Sequence, residues 1–271
     1  MRIACYQGPE FSHAPADNLA LLRRAAFEAK AGGADLLVAP EMFLTGYAIG
    51  AEAVDRLAEP VDGASVTAAS LIAGDAGIAL VFGLPERGAD GRAFNAAVAL
   101  SAGGHVLATY RKAHLFGDVD RAQFSPGETA PQLFEVGGLT AAMLICYDVE
   151  FPEAVRSLAL RCVDLVIVPT ALMQPYDVVA RTVVPARAFE NQLYVAYANR
   201  CGAEPPFDYC GLSCVVGPDG VDVSRAGRGE ELIFADLDTA ALARSRKANT
   251  YLKDRRPELY AGITTPMERL P

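Results

Sequence analysis

The hydrophobic pattern of this 271-residue chain alternates short apolar runs with longer stretches in which apolar residues recur at helical spacing. Short runs bounded by glycine, proline or charged residues are typical of buried strands, and the helical spacing indicates amphipathic helices between them. The pattern predicts strands at residues 2–7, 36–39, 78–83, 94–100, 105–110, 133–136, 139–145, 165–168, 194–198, 212–216 and 232–237. It predicts helices at residues 17–31, 66–76, 152–161, about 178–192, and 239–247.

Turn sequences between some of these strands make the predicted sheets mixed. "SAGG" at 101–104 and "GG" at 137–138 favour hairpins, whereas other strands alternate with helices. The segment "ADLLVAPEM" at 34–42 also resembles "VDLVIVPTA" at 163–171. This echo indicates either a duplicated α/β unit or the similarity that any two buried strands share. We therefore predict an α/β fold in which two mixed sheets pack together with helices outside.

Composition and charge narrow the function classes. Hydrophobic residues make up 52% of the chain and charged residues 21%, so we treat residues 1–271 as a single globular domain. The formal net charge of −9 argues against a nucleic-acid-binding protein. No uncharged apolar run is long enough to span a membrane, and "MRIACYQGPEF" lacks the apolar core of a signal peptide. We expect a cytoplasmic location, reduced thiols, and neither nucleic acid nor a membrane as partner.

The cysteines do not form a convincing metal motif. Cys201, Cys210 and Cys214 have the spacing C-x8-C-x3-C, which is only half of what a zinc site with paired knuckles or nearby histidines requires. Buried, inert thiols are the favoured interpretation. No metal and no cofactor is expected.

Three reactive side chains each follow an apolar run directly. They are Glu41 after "LLVAP", Lys112 after "HVLATYR" and Cys146 after "AAMLI". Because side chains alternate along a strand, the residue at its end can turn into a cleft beside a rigid sheet. A carboxylate whose pKa is raised by burial can deprotonate a thiol, and an ammonium can stabilise an oxyanion together with a backbone N–H, here that of Tyr147. The set predicts nucleophilic catalysis by a cysteine.

Each of these residues alone has an ordinary alternative. Lys112 could be a solvated charge, and Glu41 could cap the following segment or pair with an arginine. Cys146 could be a buried thiol, as Cys5 in the similar sequence "IACYQ" is expected to be. Cysteine proteases use a histidine base, but of the histidines here only His114 lies near the set in sequence.

The segments around these residues resemble the nitrilase superfamily of carbon–nitrogen hydrolases. The likeness is carried by "APEMFLTGY", "YRKAHLFGD" and "LICYDVEFPE", and continues through "VPTALMQP", "ARAFENQLYVAYANRCG", "GPDG" and "DRRPELY" over nearly the whole chain. It implies a four-layer αββα sandwich and a catalytic triad of Glu41, Lys112 and Cys146. It also implies a homodimer or higher homo-oligomer with the C-terminal tail, residues 249–271, at a subunit contact.

The resemblance also draws attention to Asp120. Members of the family often carry a second glutamate after the lysine, and aligning on the "FSPG" that follows places Asp120 there, with a side chain shorter by one methylene. It implies that Asp120 helps to position the substrate amide. The alternatives are an exposed loop carboxylate or a partner for Arg121.

The substrate class follows from the branch of the family that the chain resembles. "CYDVEFPE" resembles the amidase and carbamoyl-amide branches, and the chain has no tryptophan, unlike the nucleophile segment of true nitrilases. The resemblance therefore favours a primary aliphatic or aromatic amide, hydrolysed through a cysteine thioester. An N-carbamoyl amine or amino acid is the alternative, and a nitrile is less favoured. The loops expected to line the pocket are mostly apolar or aromatic, and hold Tyr47, Phe116, Tyr147, Ala171, Leu172 and Met173.

Other function classes are less consistent with the residues. A non-catalytic scaffold would not need the intact Glu/Lys/Cys set, and a thiol redox protein would show a C-x-x-C motif, which is missing. Neither Arg121 nor Arg200 is clearly placed to bind a substrate carboxylate. The favoured interpretation is therefore an amide hydrolase whose partner is a small-molecule amide.

Overall fold

A computed structural model describes residues 1–9 and 12–264 of the chain. Its strands are β1 (Arg2–Gln7), β2 (Leu36–Val38), β3 (Ala79–Arg87), β4 (Ala93–Leu100), β5 (Val106–Arg111), β6 (Leu133–Val136), β7 (Leu139–Met143), β8 (Leu165–Pro169), β9 (Tyr194–Ala198), β10 (Cys201–Glu204), β11 (Phe207–Cys210), β12 (Cys214–Val216), β13 (Asp222–Arg225) and β14 (Glu231–Asp236). Its α-helices are α1 (Pro15–Ala31), α2 (Ala51–Leu57), α3 (Ala64–Ala76), α4 (Gly117–Gln123), α5 (Pro152–Leu160), α6 (Val184–Asn191) and α7 (Thr239–Ala248).

The strands form two mixed sheets of six strands and a separate hairpin. The first sheet has the order β14-β1-β2-β3-β4-β5, the second has the order β13-β12-β9-β8-β7-β6, and β10 pairs with β11. β1 and β2 are parallel neighbours, as are β7 and β8. The similar segments 34–42 and 163–171 therefore hold equivalent strands in the two sheets.

Alternation of side chains along the strands builds the layers. In β1, Ile3 and Cys5 pack in the core shared with the second sheet, whereas Ala4 and Tyr6 pack in a separate core with α1 and α3. On the other side, α5 and α6 pack against the second sheet. The predicted four-layer αββα sandwich, an α/β fold with two mixed sheets flanked by helices, is confirmed.

Several strands and one helix begin or end at residues that differ from the predicted ones. The strand predicted at 139–145 ends at Met143, and the one predicted at 212–216 begins at Cys214 because Leu212 has a φ of 61°, which is incompatible with a strand. The helix predicted near 178–192 begins with a π-helical turn, Val179–Val183, before α6. Sequence patterns missed the short elements α2, α4, β10, β11 and β13, which are too brief to show a clear period.

The C-terminal tail runs as two short 3₁₀ turns, Pro257–Leu259 and Ala261–Thr264, and residues 265–271 of the predicted contact segment lie outside the described residues. The described tail exposes several large apolar side chains: Tyr251, Leu259, Tyr260 and Ile263. In the part of the chain that the structure describes, none of the helices has both the length and the apolar character needed to cross a membrane.

Candidate active site

Glu41 lies in the turn that follows β2, with its side chain fully buried. Asn95 Nδ2 and Lys112 Nζ both donate to its Oε1 atom, over 2.7 and 2.8 Å. The other oxygen, Oε2, has no hydrogen-bond partner among the described residues. Burial raises the pKa of Glu41, and the adjacent Lys112 charge lowers it only in part. One carboxylate oxygen is therefore fixed, and the other is free to accept a proton.

Lys112 directly follows β5 and is completely enclosed. Its Nζ atom donates to Glu41 Oε1 over 2.8 Å and lies 2.7 Å from Asp120 Oδ2. Burial acts to lower the pKa of Lys112, but the negative charges around it outweigh this effect and hold the pKa well above its ordinary value. Because an ammonium carries three N–H groups, one of them remains for a ligand.

Cys146 opens a 3₁₀ turn, Cys146–Glu150, beyond the end of β7. Its φ of 47° lies in the left-handed region that non-glycine residues seldom adopt, which turns the backbone away from the path of the strand. Burial and then the Glu41 charge raise the pKa of the Cys146 thiol, and the Lys112 charge lowers it only in part. The residue therefore rests as a thiol that needs a base, beside a carboxylate and an ammonium.

Glu41, Lys112 and Cys146 are thus all buried and their charges act on one another, and comparison with known proteins identifies the family of the chain. The family model "Carbon-nitrogen hydrolase" matches residues 2–247. A Pseudomonas protegens protein named "Hydrolase in pqqF 5′region" is 52% identical over 97% of this chain and 92% of its own length. This chain belongs to the carbon–nitrogen hydrolase family, in the nitrilase superfamily. The predicted family is confirmed.

Some relatives of this hydrolase have more specific names, which include amidases, a nitrilase and a citrullinase. An (R)-stereoselective amidase of a Pseudomonas species is 38% identical over 83% of this chain and 81% of its own. The solved amidase of Nesterenkonia sp. AN1 is 39% identical, with a TM-score of 0.84 over 97% of this chain and 99% of that one. Variants of that amidase have been solved in complex with acrylamide and with butyramide.

Asp120 of the hydrolase is buried in α4 and faces the site. Its Oδ2 atom lies 2.7 Å from Lys112 Nζ and accepts a hydrogen bond from the Phe116 backbone N–H over 2.8 Å. The two alternatives weighed from sequence are wrong, because Asp120 is not exposed and Arg121 instead lies 4.0 Å from Asp118. The shorter acid therefore contacts Lys112 directly.

Asp148 holds the nucleophile turn in place, and sequence reasoning did not single it out. Its Oδ2 atom accepts hydrogen bonds from the Ile145 N–H and the Tyr110 hydroxyl, over 3.1 and 3.0 Å. Its Oδ1 atom lies 2.6 Å from His114 Nδ1, and the His114 ring stacks on Phe151. His114 therefore supports the turn through Asp148.

Two further residues that sequence analysis did not assign hold the loop that carries Glu41. Arg200 donates from Nε to the Glu41 carbonyl and from Nη2 to the Met42 carbonyl, over 3.1 and 2.6 Å. Glu204 Oε1 accepts from the backbone N–H groups of Tyr47 and Ala48, each over 2.8 Å. The guanidinium of Arg200 is committed to these carbonyls, so it is not placed to bind a substrate carboxylate.

Five of the six residues in the predicted pocket-lining loops divide between two apolar clusters, and the sixth, Tyr147, is half-buried with its ring against that of Phe116. Tyr47, Ala171 and Met173 share one buried cluster, with Phe116 partly buried against it. Leu172 packs instead in the core between the sheets.

Unpaired polar atoms are concentrated at this site. Among the described residues, four of the six buried side-chain atoms without a hydrogen-bond partner are Glu41 Oε2, Tyr47 Oη, Asn95 Oδ1 and Asp120 Oδ1. Buried polar atoms are nearly always hydrogen-bonded. Several buried polar atoms without a partner around one lysine therefore indicate a binding site for a polar ligand. Over the described ranges, 1–9 and 12–264, no cluster of three or more histidine, cysteine or acidic residues could hold a metal ion.

Proposed function

We propose that this hydrolase cleaves primary aliphatic or aromatic amides to a carboxylic acid and ammonia, with Cys146 as nucleophile. The observation that carries the proposal is the buried Glu41–Lys112 pair beside the thiol, with one Glu41 oxygen left unpaired. A base with a raised pKa and a fixed ammonium are the groups that acyl transfer to a thiol requires. The amides bound by the similar Nesterenkonia enzyme support the same substrate class.

In the first half of the proposed reaction, Glu41 Oε2 accepts the Cys146 proton as sulfur attacks the amide carbonyl carbon. The oxyanion accepts hydrogen bonds from the remaining Lys112 N–H and the Tyr147 backbone N–H. Glu41 then returns the proton to the amide nitrogen, the C–N bond breaks, and ammonia leaves a thioester on Cys146.

In the second half, Glu41 takes a proton from water, and the hydroxide attacks the thioester carbonyl carbon. The C–S bond breaks, the carboxylic acid leaves, and Glu41 returns its proton to the Cys146 sulfur. The sum is amide plus water giving acid plus ammonia. Asp120 Oδ1, also unpaired, is suited to accept a hydrogen bond from the substrate NH₂ group and so to position it.

A substrate panel tests this proposal. Ammonia release is measured for butanamide and benzamide, for an N-carbamoyl amino acid, and for butyronitrile. We expect both primary amides to release ammonia and the corresponding acid in equal amounts. Ammonia from only the N-carbamoyl compound or only the nitrile would contradict the proposal and assign the alternative class.

We also propose that the hydrolase acts as a homodimer or higher homo-oligomer with the tail at the contact. Support comes from the described tail, which leaves several large apolar side chains exposed to solvent. Monomeric proteins usually bury such side chains. Light scattering after gel filtration should give a mass of at least two chains, and truncation after residue 248 should lower it. A monomeric full-length chain would contradict the proposal.

A further inference from the structure

Glu150 is a shielded carboxylate without a partner. It is half-buried at the end of the nucleophile turn, and among the described residues no hydrogen-bond donor or cation contacts its carboxylate. Every other buried or half-buried acidic side chain in the described part has a partner: Glu41, Glu59, Glu86, Asp120, Asp148, Asp164, Asp177, Glu190 and Glu204. A shielded charge is costly unless something binds it, so this exception requires a reason.

The turn places Glu150 near the site, because it ends the turn that Cys146 opens and its carboxylate lies close enough for the Lys112 charge to act on it. Side chains three residues apart lie on the same face of a 3₁₀ turn, so Glu150 shares a face with Tyr147, the residue next to the nucleophile. Arg187 fixes this end of the turn by donating to the carbonyls of Val149 and Glu150, over 3.0 and 2.7 Å. The position of Glu150 is therefore set by the same element that positions Cys146.

Nearby cations do not neutralise Glu150. Arg187 is ion-paired with Glu190, and Lys112 is shared by Glu41 and Asp120. Burial raises the pKa of Glu150, while the charges of Lys112 and Arg187 act to lower it. Lys112 is thus already contacted by two other carboxylates, and the Glu150 carboxylate, on which its charge acts from farther away, has no cation in contact with it.

Aromatic rings lie on the same side of the turn. The Phe116 ring lies 5.4 Å from that of Tyr147 and 6.0 Å from that of Tyr176, both edge to face. Aromatic faces attract cations, and a carboxylate beside them adds a full opposite charge. Such surroundings suit an alkylammonium group better than an anion.

We infer that the Glu150 carboxylate binds an ammonium group on the acyl part of the substrate, so that the preferred amides are those of amino-substituted acids. This inference rests on the proposed amidase function and names the substrate class within it. The amide group would form hydrogen bonds with the unpaired polar atoms around Lys112. The ammonium would lie toward Glu150 and the aromatic rings.

Matched pairs of amides test the inference. Glycinamide, 3-aminopropanamide and 4-aminobutanamide are compared with propanamide, butanamide and pentanamide, in which a methyl group replaces the ammonium. We expect kcat/KM to favour the charged member of at least one pair by tenfold or more. Glu150→Gln should reduce that ratio at least tenfold, mainly through KM, because the isosteric amide keeps the shape and removes the charge.

Glu153→Gln is the matched control, since Glu153 is an exposed carboxylate in the first turn of α5 and should leave the ratio unaltered. Equal losses on both members of each pair in Glu150→Gln would overturn the inference. A wild-type preference for the anionic succinamate, which exposed Arg121 could bind, would also overturn it.

A binding measurement separates this inference from the proposed reaction. Calorimetric titration of Cys146→Ala protein with the same pairs requires no turnover. Tighter binding of the charged amide, lost in the Cys146→Ala/Glu150→Gln protein, supports the inference even if wild-type protein releases no ammonia. Equal binding of both members overturns it even if every amide is hydrolysed.

Discussion

Two cysteines in nearly the same local sequence have different surroundings in this protein. Cys5 in "IACYQ" lies inside β1, between β14 and β2, and is 0% exposed. Cys146 in "LICYD" lies beyond the end of β7 and is 8% exposed. Burial raises the pKa of both thiols, so burial and local sequence do not distinguish them.

The difference lies in what each thiol faces. The charge that acts on Cys5 is that of another buried thiol, Cys214, whereas Glu41 and Lys112 both act on Cys146. A strand interior commits its backbone to both neighbours, and only beyond the strand end can the chain turn toward residues of other loops. The comparison teaches that strand position, rather than thiol burial, separates a structural from a reactive cysteine.

The largest expected effect comes from removing the reactive thiol. Cys146→Ala should lower amide hydrolysis by about 10⁴-fold or more, because no other group can form the thioester. Cys5→Ala, the matched control, should retain kcat within about twofold of wild type. Ammonia release under identical conditions measures both.

Substantial turnover by Cys146→Ala would contradict the proposed nucleophile. Circular dichroism of both variants shows whether each remains folded, so that a lost activity can be assigned to chemistry. If Cys5→Ala lost as much activity as Cys146→Ala, the distinction between a structural and a reactive cysteine would be wrong.

Replacing the cation that faces Cys146 should have the next largest effect. Lys112→Met keeps the length of the side chain and removes the oxyanion donor, so kcat should fall by about 10²- to 10³-fold. Glu41 and Asp120 would lose their shared partner, which should cost about 3–5 kcal/mol of unfolding free energy unless they protonate. Ammonia release and urea denaturation measure the two effects.

Lys30→Met is a suitable control, because Lys30 is exposed in the last turn of α1. It should alter neither quantity appreciably. An unchanged kcat in Lys112→Met would show that this ammonium does not stabilise the oxyanion.

The sequence predicted the three strand-end residues because the signal for each one is local. That signal is an apolar run, a break in the run and a reactive side chain directly after it. It also predicted the two mixed sheets, since hairpin turns and strand–helix alternation both leave clear patterns. The family resemblance supplied Asp120, although the burial of its carboxylate against Lys112 depends on the short helix α4, which no periodicity revealed.

The supporting residues could not be predicted because their contacts join distant parts of the chain. Glu204 accepts a hydrogen bond from the Tyr47 backbone N–H, and Arg200 donates one to the Glu41 carbonyl. Each pair is separated by more than 150 residues in sequence. Nothing near Arg200 in sequence distinguishes an arginine that binds backbone carbonyls from one that binds substrate. The role of Asp148 could not be predicted for the same reason, since its partners Tyr110 and His114 lie in β5 and in the segment after β5.

Alkylation should distinguish the two cysteines by about tenfold or more in rate. Iodoacetamide should modify Cys146 faster than Cys5, because Glu41 can accept its proton and the site suits an amide. Cys162 is exposed and will also react, so the measurement belongs in a Cys162→Ser background. Peptide mass spectrometry and residual activity, followed together, measure the rates. Modification of Cys5 ahead of Cys146, or inactivation without modification of Cys146, would contradict the assignment.

The smallest effect concerns the property that the two thiols share. Burial raises both pKa values above the ordinary 9.0, so above pH 9 the unfolded chain loses protons that the folded chain retains. The unfolding free energy should therefore be unaffected by these thiols below pH 9 and fall as pH rises beyond it, by up to about 1.4 kcal/mol per pH unit for each. Urea denaturation between pH 8 and 10.5 should show that Cys5→Ala and Cys146→Ala each make this fall less steep by a similar amount. If only Cys5→Ala does so, Lys112 stabilises the Cys146 thiolate in the folded protein, and the base that the proposed mechanism assigns to Glu41 is not needed for attack.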